Sequence, residues 1–259
     1  MNNLSGKKVL VTNAGVGFGQ DIVVELARLG ARVAVHYAHS ERDTAETSAK
    51  LRRLTGDGPA VVQADLRAVS ECDRTVEEAA EALGGLDVLV NNPGVPRALA
   101  FLDTNEAVYD ELFDLNVKCY LLCTKRAVSF MLEACGGSIV NVTCIHNRSG
   151  FTRSAAYAAT EGALIALTSE LAEEFRGKGI RVNAVGPGLI EVPRYFGIPG
   201  YTVEFGSTPM LAGRLERPRY VAHAVAFLAA ADEQRRDVVS ELNPVMDVRM
   251  KRRVHFRTV

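Results

Sequence analysis

The sequence lacks the features that place a protein in a membrane, in a disulfide-stabilised class or on a nucleic acid. It has only five cysteines, an odd number without any Cys-x-x-Cys pair, which argues against a disulfide framework and a zinc site. Its apolar runs are all shorter than the ~18 residues that a membrane-spanning helix needs. The formal net charge of −1 gives no attraction to nucleic acid or to an acidic membrane surface. We therefore expect a cytoplasmic protein without a metal, a nucleic-acid partner or a membrane partner.

What the 259 residues do contain is an alternation of apolar, β-branched runs with amphipathic stretches. The run Lys8–Thr12 is followed by Gln20–Leu29, and the run Arg32–Tyr37 by Thr44–Leu54. Continuous apolar strands separated by helices are typical of a parallel sheet covered on both faces. The pattern predicts one doubly wound, Rossmann-type α/β domain over residues 1–259, with a mostly parallel sheet of about seven strands.

The periodic pattern lapses in one long stretch near the end of the chain. We interpret residues 189–213, rich in Gly, Pro and aromatics, as a substrate lid, because such long aperiodic segments in compact domains are usually functional. The aromatic side chains of Tyr195, Phe196 and Tyr201 predict a small substrate that is apolar or contains a ring.

A glycine-rich turn follows the first predicted strand and opens the first helix. It reads Thr12-Asn13-Ala-Gly-Val-Gly17-Phe18-Gly19. In such a turn, backbone N–H groups and the helix N-terminus can approach a pyrophosphate. Asn13 is able to adopt the positive φ that a glycine normally supplies at this position. The turn is a candidate cofactor site.

A second motif surrounds Tyr157 and reads Ser154-Ala-Ala-Tyr157-Ala-Ala-Thr-Glu161. Together with the glycine-rich turn, it resembles the short-chain dehydrogenase/reductase family, and the resemblance covers essentially the whole chain. That family has Tyr-x-x-x-Lys here, and its Lys lowers the tyrosine pKa and holds the nicotinamide ribose. A carboxylate at Glu161 reverses the sign of the nearest electrostatic influence on Tyr157.

The resemblance implies an NAD(H) or NADP(H) cofactor, although chemistry without a cofactor stays open. An acidic residue for the ribose 2′-hydroxyl is missing after the second strand, where His39 is placed to face a 2′-phosphate, so the interpretation leans to NADP. Besides the glycine-rich turn, the implied cofactor contacts are His39, Asp65, Leu66, Asn91, Gly94, Pro187 and Gly188.

The resemblance also implies a catalytic set. Asn116 matches the family's helix-kinking residue that binds a proton-relay water, and Tyr157 matches its acid/base residue. Cys144 falls where the family has a Ser, and a thiol is the weaker hydrogen-bond donor. On the segment that borders the substrate pocket, His146 is a further acid/base candidate and Arg153 a substrate contact.

Three functions remain open from the sequence. The favoured one is an NAD(P)H-linked oxidoreductase that acts on a small carbonyl or hydroxyl compound with an altered catalytic set. The second is a non-redox dehydratase, isomerase, cyclase or lyase that uses Tyr157 with Glu161, His146 or Cys144. The third is a non-catalytic nucleotide-binding protein or partner subunit. For the first function, the candidate replacements for the lost positive charge are Lys118, Lys125 and Arg153.

Two long predicted helices bear on assembly. The stretches Asn105–Cys135 and Ala155–Arg176 resemble the helices through which members of the family pair with two-fold symmetry. We expect a homodimer or homotetramer.

Overall fold

A parallel β-sheet forms the centre of this computed structural model, which describes residues 3–145, 153–188, 190, 217–230 and the backbone of 239–242. The strands are β1 Lys8–Val11, β2 Arg32–Tyr37, β3 Ala60–Gln63, β4 Val88–Asn91, β5 Gly137–Val142, β6 Ile180–Pro187 and β7 Val239–Leu242. Within these described residues the sheet has seven strands in the order β3-β2-β1-β4-β5-β6-β7, with every neighbouring pair parallel. The chain crosses from one half of the sheet to the other between β3 and β4, so a crevice opens beside β1 at the carboxyl edge.

Helices cover both faces of the sheet. They are α1 Phe18–Arg28, α2 Glu41–Thr55, α3 Val69–Leu83, α4 Glu106–Phe113, α5 Cys119–Glu133, α6 Ala155–Glu174 and α7 Pro218–Ala230. Because alternate residues of a strand point to opposite faces, β1 contributes to two separate apolar cores. Val9 and Val11 pack with α1 and α7, whereas Leu10 packs with α3, α5 and α6.

The predicted helix Asn105–Cys135 is not continuous in the structure. Helix α4 ends at Phe113, a π-helical turn follows over Asp114–Lys118, and α5 begins at Cys119. Asn116 is fully buried in that turn, where its amide bonds to the chain after β4 and to α6. A wider helical turn lets this side chain reach both partners, which is a common use of π-helical segments near functional sites.

A buried polar network joins the two central strands to the helices on one face. The Asn91 amide donates to Thr124 Oγ1 over 3.0 Å and to Asn141 Oδ1 over 2.9 Å. The Asn141 amide in turn donates to Thr168 Oγ1 over 2.9 Å. Since all four side chains are almost fully buried, each depends on the others for hydrogen bonds that water cannot supply.

The predicted doubly wound α/β fold and its seven parallel strands are confirmed. The lid predicted at 189–213 lies outside the described residues except for Ile190, and the extent of the domain over 1–259 stays a prediction. In the described part of the chain, the helices include none that is both long enough and apolar enough to cross a bilayer.

The substitution Asn141→Leu tests the buried network. It removes two hydrogen bonds without changing side-chain size much, and it leaves the Asn91 amide one partner short. We expect the free energy of unfolding in urea to fall by about 1–3 kcal/mol. Gln63→Leu, on the exposed side of edge strand β3, is the control and should change it by less than about 0.5 kcal/mol. Equal effects of the two substitutions would show that the network has no special energetic role.

Candidate functional site

The predicted cofactor contacts converge at the carboxyl edge of the sheet. The loops after β1, β2, β3 and β4 enclose a cavity of about 270 Å³. Its walls include five residues predicted from the sequence, namely Asn13, His39, Asp65, Leu66 and Gly94. The walls also include Ser40 and Pro93, which adjoin predicted contacts. The sequence analysis did not single out the remaining wall residues, namely His36, Ala38, Arg67, Val95, Glu111 and Leu115.

The glycine-rich turn has the backbone that was predicted for it. Asn13 lies at φ 50°, which confirms that it takes the place of a glycine at positive φ. Gly17 lies at φ 65° and has no atom within 4 Å of the position that a Cβ would occupy. At Gly19, a Cβ would lie 2.5 Å from the carbonyl oxygen of Asn13, so only glycine fits. The turn therefore packs closely against itself on one side and leaves open space on the other.

A buried histidine holds this turn in place. His36 is 2% exposed, and its Nδ1 accepts the N–H of Asn13 over 3.0 Å. Its Nε2 lies 3.1 Å from the carbonyl oxygen of Ala64, which requires the proton to be on Nε2. Burial lowers the pKa of His36 to about 4, so the ring is neutral near pH 7. Sequence reasoning missed this residue because it lies inside an apolar strand, although a single titratable side chain in such a strand was a usable signal.

The cavity wall at Asp65 contains a second residue that the sequence analysis missed, Arg67. Arg67 Nε donates to Asp65 Oδ1 over 2.9 Å, and the guanidinium lowers the pKa of Asp65 to about 2. Asp65 is therefore ionised and oriented at the cavity wall, next to Leu66 and close enough to His39 for their charges to interact.

The predicted acid/base tyrosine lies beside the carboxylate of Glu161. Tyr157 and Glu161 are one turn apart on α6, and they are 8% and 3% exposed. The Tyr157 phenol hydrogen-bonds to the Glu161 carboxylate and to Cys144, and the backbone N–H of Cys144 donates to Glu161. The second carboxylate oxygen, Oε2, is buried and has no hydrogen-bond partner among the residues that the structure describes. The structure thus brings together three of the five predicted catalytic residues.

Burial has a large effect on both acids of this pair. It raises the pKa of Glu161 to about 7, partly offset by the hydrogen bonds from Tyr157 and from the N–H of Cys144. Burial, followed by the negative charge of Glu161, raises the pKa of Tyr157 far above its ordinary value. Tyr157 is therefore a neutral phenol at any pH at which the protein works.

None of the candidate replacement cations reaches the pair. Lys118 Nζ binds Asp114 Oδ1 at 2.6 Å, and both side chains are about two-fifths exposed. Lys125 and Arg153 are exposed. Among the residues that the structure describes, no Lys or Arg contributes to the pKa of Glu161.

Asn116 connects the loop after β4 to the helix that carries Tyr157. Its Oδ1 accepts the N–H of Val95 over 2.9 Å, and its Nδ2 donates to the Val95 carbonyl and to Thr160 Oγ1, each over 3.2 Å. These contacts occupy the side-chain amide, and the expected water-binding role of Asn116 stays a prediction.

Other predicted residues have mainly structural contacts. The Thr12 hydroxyl donates to the Val90 carbonyl over 3.3 Å and accepts the N–H of Asn92 over 3.0 Å, which joins the ends of β1 and β4. Asn91 belongs to the buried network, and Phe18 begins α1 and packs on the core. Pro187 and Gly188 are buried at the end of β6.

Arg153, the predicted substrate contact, makes a backbone hydrogen bond to the chain after β4. Its side chain is exposed, its φ is 63°, and its carbonyl accepts the N–H of Leu99 over 2.7 Å. The remaining site candidates lie outside the described residues and are His146, Tyr195, Phe196 and Tyr201.

Known proteins are similar to this chain in sequence and in fold. A family model described as short chain dehydrogenase matches residues 7–195. The chain belongs to the short-chain dehydrogenase family. An uncharacterized oxidoreductase of Methylorubrum extorquens is 39% identical over 239 residues, which cover 90% of this chain and 94% of that protein. The 3-oxoacyl-acyl-carrier-protein reductase FabG of Staphylococcus aureus is 33% identical over 224 residues, 86% of this chain and 91% of the relative.

Solved structures support the same assignment for this short-chain dehydrogenase. The crystal structure of a short chain dehydrogenase from Burkholderia cenocepacia in complex with NADP is 29% identical and superposes with a TM-score of 0.84. The match covers 94% of this chain and 98% of that one. The homologues of this short-chain dehydrogenase are thus oxidoreductases of the same fold.

The buried histidine generates a prediction on pH. An unfolded chain protonates His36 near pH 6.5, whereas the native protein resists protonation until about pH 4. The unfolded state therefore binds more protons in this window, and stability falls as the pH is lowered through it. We expect wild type to lose about 3 kcal/mol more unfolding free energy than His36→Gln between pH 7 and pH 4. The control is His223→Gln, at an exposed position on α7, which should show the same pH dependence of stability as wild type. If His36→Gln also shows the wild-type pH dependence, the buried His36 is not its cause.

Proposed function

We propose that this short-chain dehydrogenase is an NAD(P)H-linked oxidoreductase. Its substrate is a small carbonyl compound or the corresponding hydroxyl compound. The observation that carries the proposal is the position of Tyr157. The phenol lies on α6 directly after β5, so it shares the carboxyl edge of the sheet with the glycine-rich turn and the 270 Å³ cavity.

The cavity and the turn fit a dinucleotide. Gly17 and Gly94 both have open space where a side chain would project, so a ligand is able to approach the backbone closely. The N-terminus of α1 and its turn would face the pyrophosphate, and the cavity wall at Asp65 and Leu66 would face the adenine. When bound, the nicotinamide of such a cofactor supplies a hydride to the carbon of the double bond.

NADP is the preferred form in this proposal. Where β2 ends, the cavity wall consists of Ala38, His39 and Ser40, without a carboxylate that would repel a 2′-phosphate. The carboxylate of Asp65 across the cavity is already paired with Arg67. The related protein that was solved in complex with NADP supports the same preference.

Tyr157 would contact the heteroatom of the double bond. Because its pKa is raised, the phenol stays protonated and cannot act as the base that alcohol oxidation requires. The site is therefore better suited to reduction than to oxidation of an alcohol.

Assembly as a homodimer or homotetramer remains part of the proposal. Leu121 and Leu132 on α5 are 45% and 43% exposed, which leaves apolar surface on one of the helices expected to pair.

The substitution Gly94→Val separates cofactor binding from folding. A Cβ at Gly94 has no neighbour within 4 Å, so the fold tolerates it, but the larger side chain narrows the cavity. In calorimetric titration we expect wild type to bind NADPH more tightly than NADH. Gly94→Val should raise the Kd for NADPH at least tenfold, which is about 1.4 kcal/mol. Gly162→Ala has equally free space on the exposed side of α6 and should leave the Kd unchanged. If wild type binds neither dinucleotide, the proposed function is wrong.

The substitution Tyr157→Phe tests the catalytic role. Removing the hydroxyl should lower kcat/KM at least tenfold, about 1.4 kcal/mol of transition-state stabilisation, while the Kd for NADPH stays within twofold. Product formation without any change in nicotinamide absorbance would instead favour a non-redox enzyme. Binding of NADPH without turnover of any compound would favour a non-catalytic protein.

A further inference from the structure

We propose that His36 is a positioning residue for the dinucleotide, because its Nδ1 fixes the glycine-rich turn in the conformation that receives the pyrophosphate. The inference rests on the proposed function and adds to it a side chain that sets the affinity for the cofactor. The observations that carry it are the hydrogen bonds at the start of the turn, the backbone conformation of Asn13 and the open side of the turn.

His36 bonds to two successive residues of the turn. Its Nδ1 accepts the N–H of Asn13 over 3.0 Å, and its main-chain carbonyl accepts the N–H of Ala14 over 2.8 Å. The first bond needs the imidazole, whereas the second is available to any residue at position 36. Nδ1 is able to accept because the ring proton is on Nε2, which lies 3.1 Å from the Ala64 carbonyl oxygen. The bond to Ala64 therefore selects the tautomer that holds Asn13.

Asn13 needs this bond because its backbone conformation is uncommon for a residue with a side chain. A φ of 50° costs free energy and persists only where surrounding contacts hold it. The His36 ring holds the N–H of Asn13, and the side-chain amide of Asn92 holds its carbonyl over 2.9 Å. Without the imidazole nitrogen, this N–H would lose its acceptor, and other conformations of the turn would become more favourable by comparison.

The bonds to His36 also decide which N–H groups of the turn are available to a ligand. Those of Asn13 and Ala14 are used within the protein. Those of residues 17–19 begin helix α1 and have no hydrogen-bond partner among the residues that the structure describes. The space beside Gly17 is open. A turn that is ordered before the cofactor arrives does not pay the entropy of ordering on binding, so His36 strengthens the binding of the dinucleotide.

Two substitutions separate the two nitrogens of the ring. In His36→Asn, Oδ1 takes the place of Nδ1 and can accept the N–H of Asn13, but the side chain is too short to reach Ala64. In His36→Gln, Nε2 can reach the Ala64 carbonyl, but the acceptor for Asn13 is lost. Each variant keeps one of the two side-chain hydrogen bonds, so a purely structural role would make them alike. In calorimetric titration we expect the Kd for NADPH to rise at least tenfold in His36→Gln and at most threefold in His36→Asn.

The control is Ser138→Ala, which removes a buried hydroxyl far from the turn. Ser138 lies near the amino end of β5, where its hydroxyl donates to the Leu228 carbonyl over 3.3 Å. This variant should unfold at a lower urea concentration than wild type, with a Kd for NADPH within twofold of the wild-type value. Equal Kd values in the two His36 variants overturn the inference. A tenfold rise in Ser138→Ala also overturns it, because lost stability alone would then explain the result.

Wild type provides a second measurement that does not depend on the folding of any variant. In ¹⁵N-labelled protein, the Asn13 amide nitrogen and His36 Nδ1 should show a scalar coupling across their N–H···N hydrogen bond. We expect this coupling both in the protein alone and in its complex with NADPH. Loss of the coupling in the complex would mean that the turn leaves His36 when the dinucleotide binds, and it overturns the inference.

Failure of the proposed function gives a different result. If wild type binds neither NADPH nor NADH, the proposed function is wrong, and the role of His36 in cofactor binding is wrong with it. If wild type binds NADPH and the two His36 variants bind it equally, only the inference about His36 is overturned.

Discussion

The chemistry of this protein depends on one buried hydrogen bond, between the phenol of Tyr157 and the carboxylate of Glu161. Both groups are almost completely removed from water, so burial raises the pKa of each. The bond also determines in which direction the only proton of the phenol points. A positive side chain in place of Glu161 would leave that proton available to a substrate oxygen. In this protein the carboxylate accepts that proton instead.

Buried polar contacts position the glycine-rich turn and helix α6, which carries that bond, at the carboxyl edge of the sheet. His36 holds Asn13 at the start of the glycine-rich turn, and Asn116 joins the chain at Val95 to helix α6. Parallel strands all end at the same edge, so short connections are enough to bring these groups together. The contacts are made by neutral side chains that bond to main-chain groups, which positions the loops without adding charge to the site.

Much of this architecture was predictable, because the alternation of apolar strands and amphipathic helices can be recognised from the pattern of neighbouring residues. The glycine-rich turn was found in the same way, and so was the positive φ of Asn13. A kink at Asn116 was expected from the resemblance, but its distant partners, Val95 and Thr160, could not be predicted from neighbouring residues. His36 and Arg67 were missed for a similar reason, since a buried imidazole and a paired guanidinium acquire their roles only from neighbours far away in the chain.

The sequence by itself determined the fold, the family and the negative residue at position 161, because apolar periodicity and motif spacing are properties of neighbouring residues. Only the tertiary structure decided that Glu161 is buried and that its carboxylate receives the proton of Tyr157. It also decided that, in the described part of the chain, the candidate cations lie elsewhere. The physical reason is that burial and hydrogen-bond direction depend on which groups from β5, α5 and α6 meet in space, and their separation along the chain does not specify that.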